Sequence, residues 1–252
     1  CEKQHKARMM VINQMDRENA NFEKVMAAIN EKFGPSVVPI QLPIIEGGAF
    51  KGYVDIIHMT AKLFDGKGEK EVDIPAALAD EAQSLYEKLT EAAAESDEEL
   101  MEKYFEEGEL SRDEILRGLS QGVREGIVTP VCCTAATANI GVATLLDNMV
   151  HYLPAADQVK ARPAVDAKTG DPIEVKQDGK FAAQVMKTVI DQFGKYSIIK
   201  VFSGSVDVNT QLYNANAEKA EKPTAPVLLR GKKSENIGKL NAGDIGAIPK
   251  LQ

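Results

Sequence analysis

A short apolar run that breaks at once into polar residues and then into a helical pattern constrains this chain more than any other feature. Met9 to Ile12 has the length of a buried strand, and Asn13-Gln-Met-Asp16 ends it. From Asn21 to Phe33 the apolar residues Phe22, Val25, Met26 and Ile29 recur at helical spacing, with Gly34 placed to close the helix. A strand, a polar turn and a helix in that order leave the turn's side chains at the carboxyl end of the strand. Open α/β sheets bind ligands there.

The spacing of Asn13 and Asp16 suits recognition of a guanine base. The Asp16 carboxylate would accept from the N1–H and the exocyclic amine together, while Asn13 would bridge the base and a neighbouring loop. Adenine offers no such pair of donors. The same two residue types also end strands and cap helices, and that alternative stands beside the first.

With 252 residues, 44% of them hydrophobic and 27% charged, the chain has the composition of a globular protein of two domains. It has no apolar run near membrane-spanning length and no opening that resembles a signal peptide, so a cytoplasmic protein is expected. Cys1, Cys132 and Cys133 fit neither a disulfide framework nor the usual metal-ligand spacings, and Cys132 and Cys133 read as core residues. The net charge of −8 argues against indiscriminate binding to nucleic acid. Its distribution is uneven. Residues 65–117 carry 18 Asp and Glu against 6 Lys and Arg, a net of −12, whereas residues 173–252 carry 12 basic and 8 acidic residues, a net of +4.

The first half alternates strand and helix patterns. Ser36 to Ile45 reads as one strand near a sheet edge, and Tyr53 to Phe64 as a strand pair followed by a turn at Asp65-Gly66. His58 falls inside this region with no carboxylate or second histidine expected beside it, and is read as structural. A helix is expected from Pro75 to Ala94. Capping boxes at Ser96-Asp-Glu-Glu99 and Ser111-Arg-Asp-Glu114 announce two more, Glu99 to Glu107 and Arg112 to Glu125. A further strand, Ile127 to Cys133, runs into Thr134-Ala-Ala-Thr-Ala-Asn-Ile-Gly141, where small residues let a ligand approach the backbone and the amides of Ala135 and Ala136 could face a base carbonyl. Val142 to Leu153 closes this half as an amphipathic helix.

Several of these segments, in this order, resemble bacterial elongation factor G: Asn13-Gln-Met-Asp-Arg17 with Ala20-Asn-Phe22, Ser96 to Tyr104, Gly141-Val with Leu145-Leu-Asp147, and Tyr152-Leu-Pro154. The resemblance implies a guanine-specificity loop containing Asn13, Gln14 and Asp16. It also implies a second loop, at Ala135-Ala136, whose backbone meets the guanine carbonyl, and an inserted subdomain over about 41–125. Two positions depart from the family pattern: Gln14 replaces a lysine whose stem covers the base, and Ala135 replaces a serine.

Residues 155–172, rich in Ala, Pro, Asp and Lys, read as a linker between a first domain over 1–154 and a second over 173–252. After it, short β-rich runs at 180–191, 197–202, 211–214, 225–230 and 245–251 are punctuated by Gly194, Gly204, Gly231, Gly238 and Gly243, the pattern of a closed barrel. Lys200-Val-Phe-Ser-Gly204 and Ala242-Gly-Asp244 resemble the family's second domain, which implies contact with small-subunit ribosomal RNA. Lys232, Lys233 and Lys239 are the candidate phosphate contacts. The expected class is therefore α/β plus all-β: part of a P-loop GTPase-type domain with an α+β insertion, followed by an antiparallel translation-factor barrel.

No Gly-x-x-x-x-Gly-Lys-Ser/Thr occurs in the 252 residues, so the cradle for the nucleotide phosphates and the hydroxyl for magnesium are missing. The chain reads as an internal piece of a longer GTPase that uses GTP or GDP with Mg2+, itself inactive and without a tightly bound cofactor. The resemblance implies the ribosome as partner, including its stalk protein through the insertion, with no membrane, no DNA and a monomeric state. Translocation, ribosome recycling, ribosome protection and peptide release share this layout. A stand-alone module that binds protein or RNA is the reading from another class.

Overall fold

The computed structural model describes residues 3, 6–159, 162–166, 169–191, 194–231 and 233–251. The chain forms two compact units, Cys1–Ala155 and Ala156–Gln252.

In the first unit β1 (Met10–Ile12) leads into α1 (Phe22–Phe33) and then β2 (Val37–Pro39). The expected single strand over 36–45 is in fact two strands in two sheets. After β2 the chain turns out at Ile40, whose amide still donates to Val131 O at 3.0 Å, and enters β3 (Gln41–Glu46). Strands β3, β4 (Ala49–Asp55), β5 (Thr60–Phe64) and β6 (Glu69–Val72) form an antiparallel meander in sequence order. The helices α2 (Ala79–Ala94), α3 (Glu98–Glu107) and α4 (Arg112–Glu125) follow, and the chain then returns as β7 (Thr129–Cys133). Strand β7 slots between β1 and β2, parallel to both, with Met10 opposite Val131 and Val37 opposite Thr129. It is buried at every position, as a central parallel strand covered on both faces must be. Cys132 and Cys133 lie in it as free thiols, and burial raises both above the ordinary thiol range, Cys132 to about 11.

Helix α5 (Val142–Tyr152) completes the unit. Helix α4 buries Ile115, Gly118, Leu119, Gly122 and Val123, the spacing of one helical face. A Cβ at Gly118 would collide with the Ala93 carbonyl, so glycine is what lets α4 lie against α2. Ser111 caps α4 through the full reciprocal box with Glu114. The corresponding expectation for Ser96 fails: Asp97 caps α3 by accepting from the Leu100 amide, and the Ser96 hydroxyl bonds back to Ala92 O. A carboxylate one residue later reaches the free amides and leaves the serine to finish α2.

His58 is also placed differently from expectation. It lies in the turn between β4 and β5, and its ring Nδ1 is 3.0 Å from the Asp55 carboxylate. The two line an open polar cleft of about 310 Å³ with Thr60, Lys62, Glu71 and Arg112.

The second unit is built from short antiparallel ladders. Strand β8 (Arg162–Val165) lies within the stretch expected to be a linker and pairs with β9 (Pro172–Val175). A long hairpin of β10 (Ala182–Asp191) and β11 (Gly194–Ser203) follows, then β12 (Ser205–Asp207), β13 (Leu212–Asn214), β14 (Lys219–Glu221), β15 (Val227–Arg230), β16 (Lys233–Asn236), β17 (Lys239–Asn241) and β18 (Ile245–Pro249). The main sheet runs β10-β11-β18-β15-β16, and β12–β17, β13–β14 and β8–β9 pair separately. All of these ladders are antiparallel, as expected for this domain, and β11 runs into β12 through Gly204, which joins the main sheet to the β12–β17 pair. All five glycines that punctuate this region take positive φ, the conformation for which a residue without Cβ carries no penalty.

Candidate functional site

The turn after β1 is held by its backbone. Gln14 sits at φ 63, which reverses the chain between the end of the strand and Met15. The Met15 amide donates to Thr134 O at 3.1 Å, its side chain is buried, and the Arg17 amide closes on Gln14 O at 3.0 Å. A left-handed glutamine costs about 1–2 kcal/mol, and strain of this kind concentrates where a loop must aim particular side chains.

Asn13 and Asp16 emerge on either side of that reversal with different environments. The Asn13 side-chain oxygen accepts from the Thr134 hydroxyl and from the Ala136 amide, both at 3.1 Å. An amide N–H can only donate, so this contact fixes which end of Asn13 is oxygen and leaves its NH2 group for another acceptor. Asp16 is exposed, and among the described residues its carboxylate has no hydrogen bond or ion pair. It does not cap α1. That role belongs to Asn21, whose side chain accepts from the Lys24 amide at 2.8 Å.

The second loop begins where β7 ends. The Thr134 amide donates to Ile12 O at 2.9 Å, so the first turn and the second loop are tied by backbone as well as by Asn13. Ala135 is fully buried and exchanges hydrogen bonds with Ile140, its amide donating at 3.0 Å and its carbonyl accepting at 3.2 Å. Ala135 therefore closes the base of the loop and Ala136 stays at the surface. Of the two amides expected to face a base carbonyl, that of Ala135 is spent on Ile140 and that of Ala136 is turned to Asn13. Gly141 ends the loop at φ 74, with a Cβ there forbidden by the Cys133 carbonyl 2.8 Å away.

A family model described as elongation factor Tu GTP binding domain matches residues 1–155 of this chain. The chain belongs to that family of translational GTPases. A second family model, elongation factor G domain 2, matches residues 180–252. The crystal structure of ttk003000868 from Thermus thermophilus is similar over 100% of this chain, with a TM-score of 0.84 and 25% sequence identity. This chain spans 35% of that protein's length.

The two loops lie side by side, tied by the Thr134 amide to Ile12 O and by Asn13 to Thr134 and Ala136. They present the oriented carboxamide of Asn13, the exposed carboxylate of Asp16, which has no hydrogen bond or ion pair among the described residues, and an exposed Ala136 whose amide is engaged by Asn13. Among the described residues no three His, Cys, Asp or Glu converge that could hold a metal ion, and no helix is long and apolar enough to cross a membrane.

The candidate phosphate contacts of the second unit do not form one cluster by pairing. Lys233 opens β16 and is exposed, while Lys239 opens β17 in a different ladder, across from Asp207. Backbone amides and the Thr210 hydroxyl hold the Asp207 carboxyl below its ordinary value, and Lys239 adds to that shift. Lys232 lies outside the described residues.

Two residues that reach the loops from the inserted sheet carried no local signal. Gln41 is buried, and its side-chain oxygen accepts from the Cys133 amide at 3.0 Å, extending the β2–β7 ladder after the backbone has left it. Glu69 accepts from the Gly141 amide at 3.1 Å.

Proposed function

We propose that this chain is the guanine-reading part and second domain of a ribosome-associated translational GTPase of the elongation factor G type. Asp16 accepts from guanine N1–H and the exocyclic amine. Asn13, held by Thr134 and Ala136, bridges the two loops beside the base, and the Ala136 amide meets the base carbonyl in place of, or shared with, Asn13. Ala135 supports that loop from below, and Gln14 covers less of the base than a lysine stem would. The chain falls into a first domain over 1–154 with an insertion over about 41–125, and a second domain over 173–252.

The whole protein takes GTP and GDP with Mg2+, which would neutralise phosphate charge when bound. The residues of this chain hold the base and supply no phosphate cradle, so the piece alone is inactive and binds nucleotide weakly. It works in the cytoplasm as a monomer, with Lys232, Lys233 and Lys239 toward ribosomal RNA and the acidic insertion toward a stalk protein. Translocation or ribosome recycling is the step proposed for it.

The observation that carries the base assignment is the exposed carboxylate of Asp16, without a partner among the described residues, in a turn whose helix is capped by Asn21. Each charge-assisted hydrogen bond that it accepts from guanine contributes about 1.5–3 kcal/mol. In Asp16→Asn the amide would still accept from N1–H but would present a donor to the carbonyl that replaces the amine in xanthine. In the full-length protein, competition binding should show GTP weakened at least about tenfold, roughly 1.4 kcal/mol, and XTP improved relative to GTP. An unchanged preference for GTP would remove the guanine reading.

A further inference from the structure

The loop that follows β7 is gripped at both ends by side chains from the inserted sheet. At its start, Gln41 of β3 takes the Cys133 amide at 3.0 Å, and at its end Glu69 of β6 takes the Gly141 amide at 3.1 Å. Between these two points lie the Ala135–Ile140 bridge and the Ala136 amide that is bonded to Asn13. The grip at Glu69 is itself braced. Its other oxygen lies 2.7 Å from the Tyr53 hydroxyl and 2.9 Å from the Thr144 hydroxyl, and those two hydroxyls are 2.5 Å apart. Tyr53 is fully buried in β4, and burial foremost, with the neighbouring Glu69 carboxylate adding to it, holds its phenol protonated well above the ordinary range. It therefore remains a donor at any working pH. Thr144 belongs to the first turn of α5, so the carboxylate reaches that turn through both a backbone amide and a hydroxyl.

We infer that Glu69 is a positioning residue for guanine binding: the inserted sheet sets the loop Thr134–Gly141 for the base, with Gln41 and Glu69 as its two points of attachment. This rests on the guanine reading above and adds the part that holds the loop to it. Glu69 touches neither the base nor the phosphates; it acts by fixing Gly141, whose neighbour Ile140 is bonded to Ala135 on both sides. Two groups 72 residues apart in sequence are thereby coupled. A force or partner that shifts β6 at the edge of the inserted sheet changes guanine affinity without contacting the nucleotide.

The test uses the full-length protein. Glu69→Ala removes the grip, Glu69→Asp keeps the charge but is one methylene short, and Glu69→Gln keeps an oxygen for the Gly141 amide. Steady-state GTP hydrolysis and release of fluorescent GDP are measured for each, with Asp16→Asn in parallel. The expected result is a KM for GTP raised about fivefold or more in Glu69→Ala and Glu69→Asp, with kcat at saturation unchanged, faster GDP release, and recovery toward wild type in Glu69→Gln. A merely structural role would lower thermal stability and leave KM in place. If Asp16→Asn weakens GTP while a folded Glu69→Ala or Glu69→Asp binds it as wild type does, the positioning role is overturned and the guanine reading stands. If Asp16→Asn has no effect, the guanine reading falls first. Should Glu69→Ala fail to fold, Glu69→Asp decides by the same readings, and an unchanged KM there overturns the inference.

Discussion

Strand β7 in the first unit and strand β11 in the second bury their residues in opposite ways. All five positions of β7 are buried, whereas β11 from Ser197 to Ser203 alternates buried and half-buried residues. The reason is what lies on each face. A parallel strand at the centre of a layered domain has neighbours on both sides, while an antiparallel strand in a thin sheet has a core on one side only. The cores differ accordingly. Core residues of the first unit come from β1 through α5, and the second unit's cluster consists of Ile199, Val201, Val206, Leu240 and Ile248. The first unit can therefore hold loops in strained, well-aimed conformations such as that of Gln14, because a large core over-determines them. The second presents short strands with most side chains at the surface, which suits it to broad contact.

A charge in the middle of each kind of strand gives the largest contrast. Val131→Asp in β7 places an unpaired carboxylate in a fully buried site, and a cost above about 4 kcal/mol is expected, enough to unfold the first unit. Val185→Asp in β10, where the valine is 52% exposed, should change stability by less than about 0.5 kcal/mol. Since α1 to α5 all lie in the first unit, loss of the helical circular-dichroism signal in urea follows that unit for Val131→Asp, and scanning calorimetry of the whole chain follows the second for Val185→Asp. Two equal effects would break the comparison.

Cavities should separate the cores more finely. Ile115 and Ile248 are both fully buried, so truncation removes the same atoms from each. Ile115→Ala should cost about 4 kcal/mol and Ile248→Ala about 2 kcal/mol, because a thin core collapses around the gap more readily. Equal costs in denaturant titrations would show the second core to be as rigid as the first.

A more modest loss is expected at the exposed start of α4. Ser111→Ala removes the α4 cap and should cost about 1 kcal/mol. Its partner Glu114 accepts from Lys103 first and then from Ser111, and these hold its carboxyl down at about 2 from an ordinary 4.5. A carboxyl depressed in the folded state stabilises the fold above its unfolded value and loses that contribution as pH falls through its folded value. The stability gap between wild type and Glu114→Gln should therefore be full at pH 7 and shrink as pH falls from about 4.5 to about 2. A gap that does not change over that window would show that Glu114 contributes nothing through its charge.

Much of the local structure was legible. The box at Ser111 marks the start of α4 and the glycines of the second unit mark turns, because the signal and the structure lie within a few residues of each other. The face of α1 was legible only in part. Phe22 and Met26 are buried as their spacing implies, but Val25 and Phe33 line an open groove of about 540 Å³, since periodicity states that a face is apolar and not what covers it.

The sequence by itself determined most of the helices and the turn that carries Asn13 and Asp16, because turn and helix preferences are set by near neighbours along the chain. Tertiary structure alone decided that residues 36–45 divide between two sheets, that Asn21 rather than Asp16 caps α1, and that Ala136 is held by Asn13 while Ala135 is sealed beneath it. It also decided that Gln41 and Glu69, 92 and 72 residues from the amides they hold, meet the loop they brace. Hydrogen bonds across such separations depend on how sheets and helices pack, and packing leaves no periodic trace at either end of the bond.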